Sequence, residues 1–134
     1  MVENSKLHRD NDLPVIEWSN GTKEWLKNGQ IHRDYDLPAI IKYDGSKEWW
    51  KNQQIHRDND LPAVVYANGS KIWYKNDKKH RDNDLPAVER ADGSKEWWQN
   101  GQLHRDNDLP AMEHFINGMK TYFKNGKLII KMEN

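Results

Sequence analysis

Apolar and polar residues alternate along this chain in short runs that are separated by turn residues. Runs such as TKEWLK and AVVYA are rich in aromatic and β-branched side chains, which is typical of strands. Each run is too short for a stable helix and lies next to an Asn-Gly or Asp-Gly pair, a strong signal for a hairpin turn. The pattern therefore predicts an all-β fold built from short antiparallel hairpins.

The same pattern returns every 24 residues. The motif HRDNDLPA, with small changes, begins at residues 8, 32, 56, 80 and 104, and a glycine and an aromatic residue follow each copy. A fixed period means that one supersecondary unit stacks on copies of itself. We therefore predict a single repeat domain over residues 1–134, a β-hairpin solenoid whose hairpins form an elongated, twisted antiparallel sheet. The predicted units cover about residues 8–31, 32–55, 56–79, 80–103 and 104–128, with caps at about 1–7 and 129–134 and no hairpin before the first unit.

Each unit carries two turn signals. The first is an Asn-Gly or Asp-Gly pair, as in Asn20-Gly21. The second is Asn28-Gly29 in the first unit, but it weakens to Asn52-Gln53 and Asn76-Asp77 in the next two. The second turn is therefore the less strongly specified one.

Counting outward from two-residue turns sets the strand register. Ile16 then faces Trp25 across the first turn, and Glu24 faces Arg33 across the second. Both are favourable cross-strand pairs, and the same rule pairs Glu48 with Arg57 and Glu96 with Arg105. The predicted core residues are Ile16, Trp25, Ile40, Trp49, Val64, Trp73, Val88 and Trp97.

A single copy of His-Arg-Asp could serve as a catalytic or metal-binding motif, but five copies at a fixed step are typical of a structural joint. In this interpretation His lies opposite Trp, Arg binds a carboxylate, Asp closes the turn and Leu-Pro begins the next strand. The predicted joint residues are His32, Arg33, Asp34, His56, Arg57, Asp58, His80, Arg81 and Asp82. The alternative is a metal site at His8, Asp10 and Asp12, which the adjacent Arg9 disfavours. We predict no catalytic residue, no metal and no cofactor.

Composition narrows the functional classes. Lys and Arg number 21, as do Asp and Glu, so the net charge is zero, and overall charge does not favour a polyanion as partner. The chain has no cysteine, which excludes disulfides, thiolate zinc sites and cysteine nucleophiles. We see neither the apolar segment of a signal peptide nor a run that could span a membrane, so we expect a soluble cytoplasmic protein, in the host cytoplasm if a phage or virus encodes it.

The segments GSKEWWKN at residues 45–52 and GSKEWWQNG at residues 93–101 resemble the variant form of the MORN repeat. The resemblance covers roughly residues 5–131. It implies β-hairpin units that stack into elongated sheets and a binding or scaffolding role with protein partners or, in some proposals, acidic lipids. Some bacterial proteins with variant repeats are described as antitoxins. The family implies no catalytic residues.

Two surfaces are candidates for a partner. By strand alternation, the face opposite the constant Trp25 column holds a column that varies in size, and we predict that its members Trp50, Tyr74 and Trp98 form an exposed aromatic strip. Tyr43 and Tyr66, which precede first turns, are further candidates. The alternative is that both aromatic columns are buried.

The resulting hypothesis is a non-enzymatic module that binds another protein, as an inhibitor, immunity protein, antitoxin or phage- or virus-encoded blocker of a host enzyme. Two alternatives remain. One is the binding of single-stranded nucleic acid or acidic lipid through lysines that flank Trp25, although we expect neither nucleic-acid binding nor membrane insertion. The other is a passive scaffold. A homodimer is compatible with each of these functions.

Overall fold

The computed structural model describes residues 12–130 in full, and before them the backbone of two short paired strands. The predicted all-β class is confirmed, because no described residue lies in a helix and the chain forms many short antiparallel strands. The strands are β1 (Val2–Glu3), β2 (Lys6–Leu7), β3 (Ile16–Glu17), β4 (Lys23–Glu24), β5 (Leu26–Lys27), β6 (Gln30–Ile31), β7 (Ile40–Ile41), β8 (Lys47–Glu48), β9 (Trp50–Lys51), β10 (Gln54–Ile55), β11 (Val64–Val65), β12 (Lys71–Ile72), β13 (Tyr74–Lys75), β14 (Lys78–Lys79), β15 (Val88–Glu89), β16 (Lys95–Glu96), β17 (Trp98–Gln99), β18 (Gln102–Leu103), β19 (Met112–Glu113), β20 (Lys120–Lys124) and β21 (Lys127–Ile129).

The first hairpin of every unit joins one open sheet, the long sheet. Its 11 strands run in the order β21-β20-β19-β16-β15-β12-β11-β8-β7-β4-β3, and all neighbours are antiparallel. At about 4.8 Å between strands, the long sheet extends for roughly 50 Å. The first hairpins supply ten of these strands. The second hairpins form a separate series of two-stranded pairs, the hairpin row: β1-β2, β5-β6, β9-β10, β13-β14 and β17-β18. In the last unit β20 belongs to both hairpins, and it carries β21, the second strand of the last second hairpin, into the long sheet. The pair β1-β2 corrects the expectation that no hairpin precedes the first unit.

A tryptophan marks the point where the chain passes from the long sheet to the hairpin row. Trp25 lies between β4 and β5 and belongs to neither strand. Its amide donates to the carbonyl of Ala39 in the next unit at 2.8 Å, and its carbonyl accepts from the amide of His32 at 3.1 Å. The residue is therefore a corner that is held from both sides. In the last unit Tyr122 stands at this position, and β20 continues through it.

The predicted register of the first turn is wrong by one residue. Ile16 pairs with Glu24, not with Trp25, and the later units repeat this shift. The loop contains three residues, 19–21, because the amide of Trp18 donates to the carbonyl of Thr22 at 2.8 Å. The Ile–Trp and Val–Trp cross-strand pairs therefore do not form.

The glycine of the first turn explains the longer loop. Gly21 has a φ of 98°, and its amide donates to the carbonyl of Trp18 at 2.9 Å. Asn20 Oδ1 accepts from the amide of Thr22 at 2.9 Å. A turn that ends on a left-handed glycine adds one residue to a hairpin loop, and an Asn-Gly pair fits it as well as it fits the two-residue turn.

The second turn has the predicted two-residue loop, with Leu26 opposite Ile31. It also forms where glycine is absent, with φ values of 70° at Gln53 and 74° at Asp77. The amide of Gln53 donates to the carbonyl of Ile31 at 3.0 Å, and Gln53 Oε1 accepts from the amide of Ile31 at 2.8 Å. Asp77 binds Ile55 in the same two ways. These side chains bridge adjacent hairpins, which glycine cannot do.

The core is narrow and periodic. Of the predicted core residues, Trp25, Trp73, Trp97, Val64 and Val88 are buried, whereas Ile16, Ile40 and Trp49 are only half-buried, which corrects their assignment. Sequence analysis missed a column of fully buried alanines, namely Ala39, Ala63, Ala87 and Ala111. The backbone carbonyl of each accepts the amide of a corner tryptophan at 2.7–2.8 Å. Because these residues are completely enclosed, a small side chain suits the position.

Candidate functional site

The arginine of the repeated motif connects two successive units. Arg57 Nε and Nη2 donate to the two carboxylate oxygens of Asp36 at 2.9 and 3.2 Å, and Nη1 donates to the carbonyl of Pro62 at 3.0 Å. The guanidinium carbon lies 3.7 Å from the ring centroid of Trp49. Bidentate pairing and stacking on an aromatic ring are the contacts for which arginine is suited and lysine is not.

Four arginines repeat this arrangement. The carboxylate partner is always the aspartate that precedes Leu-Pro in the unit before: Asp12 for Arg33, Asp36 for Arg57, Asp60 for Arg81 and Asp84 for Arg105. The predicted pairs of Glu24 with Arg33, Glu48 with Arg57 and Glu96 with Arg105 are therefore wrong. The arginine comes directly after the histidine whose amide binds the carbonyl of the corner tryptophan. From there its side chain reaches the aspartate of the preceding unit rather than the facing strand of its own hairpin.

The same contacts cover the corner tryptophans. The indole Nε1 of Trp49 donates to the carbonyl of Asp36 at 3.0 Å, while Arg57 lies over the ring. Trp25, Trp73 and Trp97 have equivalent donors and equivalent arginines at 3.8 Å. A stacked nucleic-acid base would need a free ring face. In all four units the arginine occupies one face, and three of the rings are buried.

The histidine of the motif contacts its own unit and the next. His56 Nδ1 accepts from the backbone amide of Asn76 at 3.0 Å, and Nε2 lies 2.7 Å from Asp58 Oδ1. Because Nδ1 is an acceptor, the ring proton is on Nε2, which donates to Asp58. His32, His80 and His104 bind Asn52, Asn100 and Asn125 in the same way.

The aspartate after the arginine is held by two neighbours. Lys51 Nζ donates to Asp58 Oδ2 at 2.8 Å, and this bond, together with the one from His56, lowers the pKa of Asp58 to about 2. The bonds from His32 and Lys27 likewise lower the pKa of Asp34, and the bond from His80 lowers that of Asp82. These carboxylates are charged structural groups at neutral pH.

The alternative metal site falls partly outside the part of the chain that the structure describes, because His8 and Asp10 are not described. Asp12 is described, and both its carboxylate oxygens accept from Arg33 at 3.0 Å. Among the described residues no group of three or more His, Asp or Glu side chains could hold a metal ion.

The column predicted to be an exposed aromatic strip is half-buried. Trp50 and Tyr74 pack against the buried cluster of Ile55, Ala63 and Val64. Trp98 is also half-buried, and its Nε1 donates to Glu96. The prediction of an exposed strip is therefore wrong for all three. The alternative prediction, that both aromatic columns are buried, agrees better with the structure. Each corner places its tryptophan and the following aromatic residue in different parts of the fold, so that both can face inward.

The loops of the first turns stack into one continuous surface. We call this surface the turn edge; it consists of residues 18–21, 42–45, 66–69, 90–93 and 114–118. A hydroxyl oxygen of each unit accepts the backbone amide of the next turn at 2.9–3.1 Å: Thr22 from Tyr43, Ser46 from Ala67, Ser70 from Ala91 and Ser94 from Phe115. Sequence analysis missed this role, although the recurrence of Thr or Ser every 24 residues is a signal for it.

Aromatic side chains project from the turn edge. Trp18, Tyr43, Tyr66 and Phe115 are between 41% and 73% exposed. Tyr43 and Tyr66 were candidates from the sequence, whereas Trp18 and Phe115 were not. The positions also differ between units: Trp18, Lys42, Tyr66, Arg90 and His114 occupy one column. Three of these five side chains bind a glutamate of their own unit: Trp18 binds Glu24, Lys42 binds Glu48 and Arg90 binds Glu96.

Part of this variation matches a change in the side chains that lie under the turn edge. Glu48 binds Lys42 at 3.1 Å and Trp50 at 2.9 Å, and Glu96, which is only 6% exposed, binds Arg90 and Trp98. The Glu48 carboxylate also raises the pKa of Lys42. In the third unit the three positions hold Tyr66, Ile72 and Tyr74. Between the second unit and the third, and again between the third and the fourth, these three positions change together, from a set with a charged pair to a set without one.

Comparisons of this chain with known protein families, with curated proteins and with solved structures find no match. Among the described residues no helix could cross a membrane.

Proposed function

We propose that this chain is a non-enzymatic protein-binding repeat module, and that it inhibits its partner by covering part of the partner's surface with the turn edge. The observation that carries the proposal is the position of its exposed aromatic residues. The described part of the chain has five exposed aromatics, Trp18, Tyr35, Tyr43, Tyr66 and Phe115, and all except Tyr35 lie on the turn edge. Exposed Trp and Tyr residues are typical anchors of protein interfaces.

Comparison of the units with one another separates the positions that contacts between units keep constant from the positions that vary. The corner tryptophan, the buried alanine and the His-Arg-Asp residues recur because each makes a contact that the next unit needs. The exposed turn-edge positions change from unit to unit. An exposed surface that varies while the contacts between units stay constant is available for recognition of a partner.

The joints support a binding role over an enzymatic one. His56, Arg57 and Asp58 each make contacts that recur in the other units, so no copy provides a constellation distinct from its neighbours. Open grooves of about 390 and 210 Å³ lie beside successive joints and are lined by these same paired side chains. The resemblance to MORN-like repeats also favours binding.

Affinity capture with edge variants tests this proposal. The double variant Tyr43→Ala/Tyr66→Ala removes two exposed anchors, and Tyr35→Ala is the matched control because Tyr35 is exposed but lies off the edge. We expect the wild type and Tyr35→Ala to capture the same protein from the source cell, and the double variant to capture at least about tenfold less.

The captured protein is then identified and its activity measured with and without the chain. Loss of that activity supports inhibition by occlusion. Equal capture by all three proteins, or loss with Tyr35→Ala alone, would contradict the proposal.

A further inference from the structure

The last described strand, β21, has an outer edge to which no other described strand pairs. Among the described residues, β21 pairs only with β20, in the register Lys124 with Lys127, Phe123 with Leu128 and Tyr122 with Ile129. The pair that closes a two-residue turn is hydrogen-bonded, so the next pair is not. The amide and carbonyl of Leu128 therefore point away from β20 and toward the free edge.

This edge is apolar at positions where the other units are polar or covered. Leu128 is 58% exposed, whereas Ile55, at the same position of an inner unit, is 9% exposed because the following unit covers it. Ile129 and Ile130 take the places of His and Arg, and Ile130 is 82% exposed. An exposed apolar edge strand invites pairing with another strand.

We propose that two copies of this chain pair through β21, antiparallel, about a two-fold axis beside Ile129. Leu128 of each copy then lies opposite Ile130 of the other, and the two Ile129 residues adjoin. The pair β20-β21 is antiparallel, so this pairing joins the last hairpins of the two copies into one four-stranded antiparallel sheet. A two-fold contact covers both free edges at once and closes the assembly at a dimer.

The proposal does not depend on the function of the turn edge. It commits to a second copy because the free donors and acceptors of β21 match those of an identical antiparallel strand. The apolar side chains beside them supply the burial that an isolated strand pair lacks.

Sedimentation velocity over a range of concentrations tests the pairing. We expect the mass to rise from 15.9 kDa to twice that value as concentration increases. Leu128→Pro removes the outward amide without removing a bond to β20, so it should weaken dimerisation at least about tenfold and leave the melting temperature nearly unchanged.

Ile116→Lys is the control, because Ile116 is equally exposed and apolar but lies outside β21. It should dimerise like the wild type. A wild type that stays monomeric at all concentrations, or equal dispersal by the control, overturns the proposal.

A second variant tests the position of the two-fold axis. Its readout is a covalent bond, so it does not depend on equal stability of the variants. The chain has no cysteine, so Ile129→Cys introduces a single thiol. The Cα atoms of a non-hydrogen-bonded antiparallel pair lie about 4.5 Å apart, within the range for a disulfide. Mild oxidation should link Ile129→Cys into a covalent dimer and leave Ile116→Cys monomeric. The reverse result overturns the proposal.

Discussion

Arg57 binds Asp36 of the preceding unit with two charged hydrogen bonds while its guanidinium lies over Trp49. Four arginines make this contact, each across one joint. It explains why a motif that could pass for a catalytic site recurs at a fixed step: every copy after the first fastens one unit to the one before.

Removing this arginine should destabilise the fold. Arg57→Ala removes three charge-assisted hydrogen bonds, uncovers Trp49 and leaves the carbonyl of Pro62 without this donor. We expect the free energy of unfolding to fall by about 2 kcal/mol, as measured by urea denaturation. Lys47→Ala, on an exposed lysine of β8, is the control and should change it by less than about 0.5 kcal/mol. Equal effects would show that Arg57 is not part of the joint.

Asp58 makes stability depend on pH. Lys51 and His56 lower its pKa from 3.8 to about 2, so the folded state favours the charged carboxylate. Its contribution is complete above about pH 4 and is lost as the pH falls through about 2, since the unfolded chain takes up the proton first. The urea midpoint of the wild type should exceed that of Asp58→Asn at pH 7, and the difference should close between pH 4 and 2. A difference that is constant with pH would contradict this role.

The second turn of the third unit separates backbone strain from side-chain bonding. Asp77 has a φ of 74°, and its Oδ1 accepts from the amide of Ile55 at 3.1 Å. Asp77→Ala loses the bond and keeps the strained conformation, whereas Asp77→Gly loses the bond and relieves the strain. We expect both variants to melt below the wild type, with Asp77→Ala the less stable by about 1 kcal/mol. The opposite order of melting temperatures would refute the explanation.

The charged and apolar sets beneath the turn edge should be interchangeable only as wholes. Glu96→Ile leaves Arg90 and Trp98 without their acceptor, and we expect a loss of about 1–3 kcal/mol. The triple variant Arg90→Tyr/Glu96→Ile/Trp98→Tyr copies the third unit and should recover most of that loss. Urea denaturation of both variants measures the coupling. If the triple variant is no more stable than the single one, the three positions do not act together.

The period and the turn signals were sufficient to predict the all-β repeat fold. They did not separate a two-residue turn from a three-residue turn that ends on Gly21, since Asn-Gly suits both, and this single residue displaced the predicted partner of Ile16. The aspartate partner of Arg57 was missed because it lies in the unit before, where hairpin counting does not reach.

Face assignment failed for a related reason. Strand alternation places Trp49 and Trp50 on opposite faces of one sheet, but Trp49 is a corner and the two residues belong to different walls. Burial of Trp50 therefore could not be predicted from alternation. The exposed positions of the turn edge were visible in the sequence, as the positions that change from unit to unit.

Deletion of one whole unit tests most directly the claim that the motif is a joint between equivalent units. Without residues 56–79, Arg81 would meet Asp36 and Trp49, and Ser46 would accept the amide of Ala91, so every type of joint contact is kept. We predict a cooperatively folded protein whose maximum dimension, measured by small-angle X-ray scattering, is shorter by roughly 10 Å, the width of two strands. A deletion variant that is unfolded, or whose length is unchanged, would contradict the account.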